Sequence, residues 1–296
     1  QIAAIIKIDG KSLMFPVASF VYPIFINLDL FAAAGLTSMP KNRSEFLSAA
    51  RKLTNKSKNQ YGWVLPLSLQ SPNGAQNDVM SWVWASGKSM LKDGKPNLTN
   101  KDVISALKFI EVMYKEKLIS PGSFAKKEQE KLEEFVNGRV GMTVSSLAHI
   151  NMIRDRNPSL NFTITDFPAA DGYKGRRGLP YAAWGIGISQ HSKHKEEAWK
   201  LVSYLMSPEV NSKLVSIANA FPGNVKAKPD FVTSDKLFGK GFKIFQSGYL
   251  ANEFTGLPVA EELMRMLNEE IQLMLEGKQT AEQAAAKAQA KWIAEF

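Results

Sequence analysis

The sequence predicts an α/β architecture divided between two lobes. Short β-like runs alternate with amphipathic helical patterns along the chain, the arrangement of α/β proteins with largely parallel sheet. Several helices are introduced by capping residues. The 296 residues exceed one ordinary compact domain and suit two, with strands passing between them.

The β-like runs are SLMFPVAS, YPIFIN, YGWVLPLS, VGMTVSS, FTITDFPAA and AWGIGIS. Between them, Asn42-Arg43-Ser44-Glu45 has the form of a capping box. It precedes Phe46, Leu47, Ala49, Ala50 and Leu53, the spacing of one buried helical face. Thr99 and Asn100 precede a helix carrying Val103, Leu107, Ile110 and Tyr114. Ser207-Pro208-Glu209 reads as an N-cap with proline at the first helical position. Thr280 and Gln283 form a capping box for the last helix, and Gly277 stops the one before it.

Composition narrows the function classes. Hydrophobic residues are 45% and charged residues 22%, which supplies an ample core. No apolar run reaches the length needed to span a bilayer. Cysteine is absent, so disulfides, thiol catalysis and cysteine metal sites are excluded. The net charge of +9 is spread among glutamates (KEEAWK, KEQEKLEE) and forms no basic stripe with interleaved aromatics. It reads as a solvated surface near an anionic envelope, not as a nucleic-acid footprint. The opening QIAAIIKIDGKSLMFP has no basic leader, no long apolar core and no initiator methionine. It reads like the interior of a domain, and the expectation is a mature or truncated piece of something longer.

Catalytic constellations are not apparent. His191 and His194 flank Lys193 in a basic turn, and His149 stands alone. Ala85-Ser86-Gly87-Lys88-Ser89 resembles the end of a phosphate loop, but the required first glycine falls at Trp82. Gly185-Ile186-Gly187 lacks the third glycine at Gln190, so no dinucleotide fingerprint exists. The acid pairs Glu133-Glu134, Glu196-Glu197, Glu261-Glu262 and Glu269-Glu270 lie in helical patterns beside basic residues and read as wet helix faces.

What remains is aromatic. Tyr22, Trp82, Trp84, Tyr181 and Trp184 fall at or near predicted strand ends or loops. They lie among small or neutral polar residues, including Ser19, Asn27, Asn73, Asn77, Ser81, Ser145 and Ser146. Flat rings beside neutral hydrogen-bonding groups suit a polyhydroxylated ligand, whose C–H faces stack while its hydroxyls find partners. In the stretch Tyr181-Ala182-Ala183-Trp184-Gly185-Ile186-Gly187 the glycines mark a close approach. Periodicity leaves Trp184 open between a core ring and a stacking platform facing a cleft.

An ordered set of segments resembles a known family. YPIFINLDLFAAAGLTSMPKNRSEFLSAARKLT is similar to the stretch of family 1 bacterial solute-binding proteins that runs FYNKDLF, AGL, P and an EF-xx-A-xKLT helix. The resemblance continues through YGWVLP, WASGKSMLKDGKPNLTN, SALKFIEVMYKEKLISP, FVNGRVGMTVSS, FPAADG, AAWGIGIS, KEEAWKLVSYLMSPEVNSKL, NAFPGNVKA and EGKQTAEQAAAKAQ. The family comprises the receptors of sugar and oligosaccharide ABC importers, among them maltose-binding-protein-like members.

The resemblance implies a two-lobed periplasmic-binding-protein-like (class II) α/β fold with a hinge. It implies no catalysis, no cofactor, no metal and no nucleic acid. The implied partners are a sugar or oligosaccharide and the permease subunits of an ABC importer, with the receptor a monomer. The implied location is extracytoplasmic, either periplasmic or as a cell-surface lipoprotein. Carried over by position, Tyr22 and Trp184 face the cleft, Tyr181 precedes Trp184, and Ser145 and Ser146 fall where the family has a small-residue turn lining it. The expected site adds Trp82, Asn73 and Asn224 from the reading of the residues, with Tyr22 and Trp184 stacking and Ser145, Asn73 and Asn224 hydrogen-bonding.

Departures are visible. Leu147, Ala148 and His149 stand where the family has a tryptophan, Arg43 replaces an aromatic, and AAW replaces GGW. Family members also carry about a hundred more residues upstream, the size of a small domain. The chain is therefore expected to lack the N-terminal part of lobe 1. Residues 1–17 and 181–232 would be the remainder of lobe 1, and residues 18–180 and 233–296 would be lobe 2. A residual lobe 1 of that kind would expose apolar sheet. Competing readings are a glycan-processing enzyme using cleft carboxylates, a receptor for a non-sugar solute, and a charge-driven nucleic-acid or surface-adhesion protein.

Overall fold

The computed structural model describes residues 7–8, 11–254 and 257–296. Its strands are β1 (Lys7–Ile8), β2 (Lys11–Ser12), β3 (Phe15–Val21), β4 (Ile24–Asn27), β5 (Tyr61–Trp63), β6 (Leu91–Lys92), β7 (Lys95–Pro96), β8 (Val140–Val144), β9 (Phe162–Thr165), β10 (Gly178–Ile186), β11 (Phe221–Pro222) and β12 (Tyr249–Ala251). One four-stranded sheet has the order β5-β8-β4-β9 and a second has the order β11-β3-β10-β12. β1 pairs with β2 and β6 with β7 as small antiparallel ribbons.

The sheets are mixed, not largely parallel. β5 runs parallel to β8 and β10 parallel to β12. β4 is antiparallel to both of its neighbours, and so is β3. Only Tyr22 and Pro23 separate β3 from β4, so the chain steps directly from the second sheet into the first.

The helices are α1 (Leu28–Ala33), α2 (Arg43–Leu53), α3 (Ser81–Trp84), α4 (Lys101–Lys115), α5 (Glu128–Val136), α6 (His149–Arg156), α7 (Lys195–Leu205), α8 (Pro208–Ala218), α9 (Phe231–Ser234), α10 (Lys236–Ser247), α11 (Ala260–Leu275) and α12 (Ala281–Glu295). The expected caps form. Asn42 accepts from the Glu45 N–H at 2.9 Å, and Asn100 accepts from Asp102 and Val103 at 3.0 Å each. Thr280 and Gln283 close a reciprocal capping box. Gly277 ends α11 at φ +76°, a left-handed position that glycine adopts without penalty. Each such cap contributes about 1 kcal/mol.

The first sheet separates two cores. Ile24 and Ile26 enter a cluster with Trp63, Met142, Val144 and the apolar faces of α2, α4, α11 and α12. Phe25, between them, enters the other cluster with Phe135, Phe162 and Ile164, consistent with the period of two along a strand. This second cluster continues across β3 and β10 to Val215 of α8 and Phe221 of β11. Several large apolar side chains of the second sheet and its helices stand exposed: Phe15, Trp184, Trp199, Leu201, Tyr204 and Ile217.

The glycines beside Trp184 have a local reason. A Cβ on Gly185 would lie 2.1 Å from the Met14 sulfur, and one on Gly187 would lie 2.9 Å from the Leu13 carbonyl oxygen. The close neighbour is the chain entering β3. The β3–β10 ladder also shifts register between Trp184 and Gly185, which face Ala18 and Pro16 and leave Val17 as the extra residue. The Val17 carbonyl, out of the ladder, accepts from Asn211 Nδ2 at 2.9 Å and from the Gly223 N–H at 3.1 Å.

Candidate functional site: one edge of the first sheet

β5, β8 and β9 point the same way and β4 points the opposite way, so three strand C-termini and the start of β4 share one edge of the sheet. In open α/β sheets this edge is the usual place for a ligand. The chain brings Tyr22, Ser145, Ser146 and the N-terminus of α6 there. Because α5 leads into β8 through the turn at residues 137–139, it runs back against β8 and starts at the same edge.

Tyr22 is locked to the Ser145–Ser146 turn. The Ser145 N–H donates to the Pro23 carbonyl and the Leu147 N–H to the Val21 carbonyl, both at 3.2 Å, on either side of Tyr22. The Tyr22 N–H donates to the Pro180 carbonyl at 3.0 Å, which ties the junction to β10. The Tyr22 hydroxyl bonds to the Ser146 side chain. Burial, helped by the Glu128 carboxylate, raises the Tyr22 pKa and keeps the phenol neutral. Leu147 behind the turn packs on Gly241 of α10, where a Cβ would come 2.7 Å from Leu147 Cδ1.

His149 opens α6 with Nδ1 2.7 Å from Ser145 Oγ. Burial lowers its pKa, so the ring is neutral near pH 7. A neutral Nδ1 without a proton accepts from the serine hydroxyl. His149, set apart in sequence from His191 and His194, is therefore part of the edge.

Beneath the edge lies an ionic group. A π-helical turn, Ala75–Met80, runs directly into α3 and carries Asp78. Asp78 Oδ2 lies 2.9 Å from Lys131 Nζ of α5, and Lys131 Nζ lies 2.8 Å from Glu128 Oε1. Burial pushes the Asp78 pKa up to about 7 against the pull of Lys131. Burial also opposes the lysine charge, but Asp78 and Glu128 outweigh it and hold the Lys131 pKa above its ordinary value. The KEQEKLEE run that reads as a wet helix face is thus partly internal. Lys131 is sealed, and Glu134 is buried against Lys126. Glu270, likewise expected on a wet face, is buried and bridged to Lys291 at 2.8 Å.

The predicted site residues divide. Tyr22, Ser145 and Ser146 converge on the edge. Tyr181, inside β10, is 3% exposed, and its carbonyl accepts from Gln76 Nε2 at 3.5 Å. Asn73 is exposed just before the π-helical turn. Trp184 is 57% exposed and is braced by Phe20, ring centroids 4.7 Å apart and edge to face.

Trp82 does not belong to such a surface. Its ring is fully enclosed, 4.7 Å from Phe167, 4.7 Å from Phe109 and 4.9 Å from Phe46. Trp84 is also buried, and both lie in α3 and not at a strand end. The Asn224 side chain is committed to backbone groups. Its Nδ2 donates to the Met206 carbonyl at 2.6 Å and its Oδ1 accepts from the Lys226 N–H at 2.8 Å. Asn27 caps α1, and Ser81 bonds back to the Asn77 carbonyl.

Sequence reasoning missed Glu128, Lys131, Asp78 and the role of His149. Glu128 lies in a charge run with the look of any solvated helix. Asp78 and Lys131 are far apart in sequence, and no local pattern joins them. Among the described residues no group of three or more His, Cys, Asp or Glu could hold a metal ion, and no helix is long and apolar enough to cross a membrane.

A two-lobed α/β binding-protein fold with neutral hydroxyls, a phenol and an exposed indole is the class these features define. Residues 2–212 match the family model of the bacterial extracellular solute-binding proteins, and the chain belongs to that family. A binding protein of Brucella abortus (strain 2308) is 29% identical over 234 residues, 77% of this chain. The chain spans 55% of that relative's length. The sn-glycerol-3-phosphate-binding periplasmic protein UgpB of Agrobacterium fabrum is 25% identical over 300 residues, covering 95% of this chain and 66% of that protein.

Among solved structures, an ABC transporter solute-binding protein from Thermotoga lettingae bound with α-D-tagatose shares the fold. Its TM-score is 0.82 at 22% identity, over 98% of this chain and 74% of its own. CpMnBP1 with mannotriose bound gives a TM-score of 0.80 at 26% identity, over 97% of this chain and 74% of its own.

Proposed function

We propose that this chain is the greater part of an extracytoplasmic receptor that binds a carbohydrate for an ABC importer and performs no reaction on it. The observation that carries this reading is the exposed Trp184 ring, held edge-on by Phe20, on the strand paired with the one that delivers Tyr22 to the Ser145–Ser146 turn. An indole face and neutral hydroxyls suit a sugar, which needs apolar stacking and hydrogen bonds together. Structural neighbours solved with tagatose, ribitol and mannotriose support the choice of ligand class. A periplasmic relative and a lipoprotein relative support the location. A hydrolase reading gains nothing from this edge, because Glu128 and Asp78 are both tied to Lys131.

In this reading residues 18–180 and 233–296 form one lobe, and residues 1–17 and 181–232 belong to the other. The β3 and β10 segments carry crossings between them. A ligand that touches both lobes only when they close shifts the open–closed equilibrium, and the importer's permease subunits read the closed form. The protein acts as a monomer. The test is titration of tryptophan fluorescence with neutral sugars and polyols, repeated with Trp184→Ala. Saturable binding weakened about tenfold or more in the variant supports the reading, given the size of one lost stacking platform. Sugar binding with unchanged affinity in the variant removes Trp184 from the site.

A further inference from the structure

A cavity of about 450 Å³ lies apart from the candidate sugar site and is lined by none of Tyr22, Ser145, Ser146 or Trp184. β5 is an outer strand of its sheet, and residues 118–120 run beside it. The Trp63 N–H donates to the Leu118 carbonyl at 3.1 Å, and the Ser120 N–H donates to the Trp63 carbonyl at 2.9 Å. The cavity opens on that flank, among Tyr61 at the start of β5, the end of α4 and Leu275 at the end of α11. Its volume falls in the range of small-molecule pockets.

The walls are largely apolar and well fixed. Ile119 and Leu275 are buried, and Tyr114 stacks on Phe124 with ring centroids 5.9 Å apart and planes 7° from parallel. Tyr61 is 9% exposed. Its hydroxyl has no hydrogen-bond partner among the described residues, yet it is not sealed from solvent. A phenol buried to that extent ordinarily has a partner.

The charges around the cavity are of one sign. Lys56, Lys115 and Lys117 line it, and among the described residues no Asp or Glu does. Lys115 is paired with Glu111 at 2.6 Å. Lys56 and Lys117 are exposed and form no ion pair among the described residues. Lys117 sits at φ +60° in the turn that ends α4. There the N–H groups of Glu116, Lys117 and Leu118 donate to the carbonyls of Val112, Tyr114 and Met113, so the helix end does not need the lysine as a cap.

We propose that this cavity is a second binding site, for a small amphiphilic carboxylate. The apolar body of the ligand lies against Tyr61, Tyr114 and Leu275, its carboxylate meets Lys56 and Lys117, and the Tyr61 hydroxyl donates a hydrogen bond to it. A neutral sugar would leave the two ammonium groups unused, and a bare inorganic anion would leave the apolar walls uncovered. The proposal stands apart from the carbohydrate reading, because the two sites share no residue.

The experiment is calorimetric titration of the whole chain at pH 7 with 2-naphthoate and with octanoate, each compared with its carboxamide. The expected result is saturable binding of at least one carboxylate at millimolar concentration or below, about tenfold tighter than its amide and weakened by added salt. The double variant Lys56→Gln with Lys117→Asn, checked for folding by circular dichroism, should bring acid and amide to the same affinity. Asparagine tolerates the left-handed backbone at that position. Tyr61→Phe should weaken the carboxylate severalfold, and unchanged affinity there would overturn the role given to its hydroxyl. Failure of both carboxylates to bind overturns the proposal. So does equal affinity of acid and amide in the wild type, or a preference for the acid that the double variant keeps. Sugar titration of the double variant should match the wild type, and a change there would overturn the separation of the two sites.

Discussion

Lys131 Nζ sits 2.9 Å from Asp78 Oδ2 with both side chains closed off from solvent, although 53 residues separate them in the chain. The pair joins α5 to the π-helical turn after β5 and fixes Glu128 on its outer side. Breaking such a pair is costly because the abandoned partner stays buried without its counter-ion and must either carry an unpaired charge or take up a proton. Lys131→Met should therefore lose about 3–5 kcal/mol of unfolding free energy at pH 8. Adding Asp78→Asn should return part of that loss, since it removes the stranded carboxyl. Urea denaturation of the single and double variants measures both numbers, and equal stability of Lys131→Met and wild type would contradict the brace.

The same aspartate gives stability a defined pH dependence. Unfolded, it titrates near its ordinary value of 3.8; folded, near about 7. Between those values the folded state holds more protons than the unfolded state, so Asp78's contribution is full below about pH 4 and falls as pH rises towards 7. His149 has the opposite sign. Its lowered pKa gives stability that is present above its ordinary value and lost as pH falls. The difference between the wild-type and Asp78→Asn stability profiles isolates the aspartate, and a flat difference from pH 4 to 8 would refute the shift.

Two tryptophans of similar sequence surroundings should behave in opposite ways. Trp82 is enclosed by Phe46, Phe109 and Phe167, so Trp82→Ala should cost about 3–5 kcal/mol. Trp184 is 57% exposed with Phe20 as its ring neighbour. Trp184→Ala should cost about 1 kcal/mol in stability, the scale of one aromatic pair, while impairing sugar binding. Thermal unfolding and sugar titration on the two variants separate the roles.

Gly74 places the loop before the π-helical turn. A Cβ there would fall 1.7 Å from the Pro66 carbonyl oxygen, with no flexible side chain able to yield. Gly74→Ala should destabilise the protein by about 2 kcal/mol or more through forced backbone movement. Amide exchange should show the loop from Pro66 to Gln76 opening first. Protection unchanged across that loop would mean that the two backbones separate at little cost.

Local signals were legible wherever the physics is local. Asn42, Asn100 and Thr280 cap their helices because a side-chain oxygen two or three residues away satisfies an otherwise orphaned N–H. Tyr22 and the Ser145–Ser146 turn could be placed because strand ends carry recognisable turn residues. Strand direction could not be read this way. β4 is antiparallel to β8 and β9, partners that follow it by more than a hundred residues, and no local pattern announces that pairing.

By itself the sequence determined the alternation of elements, their starts and stops, and membership of a solute-binding family, since each rests on short-range spacing or on ordered segments. Only the tertiary structure decided which rings are core and which stand at a surface, and which charges are internal. Trp82 and Trp184 look alike in sequence, and so do Lys131 and its neighbours in KEQEKLEE. Burial is a property of what packs against a side chain, and at Asp78 and Lys131 that partner comes from a distant part of the chain.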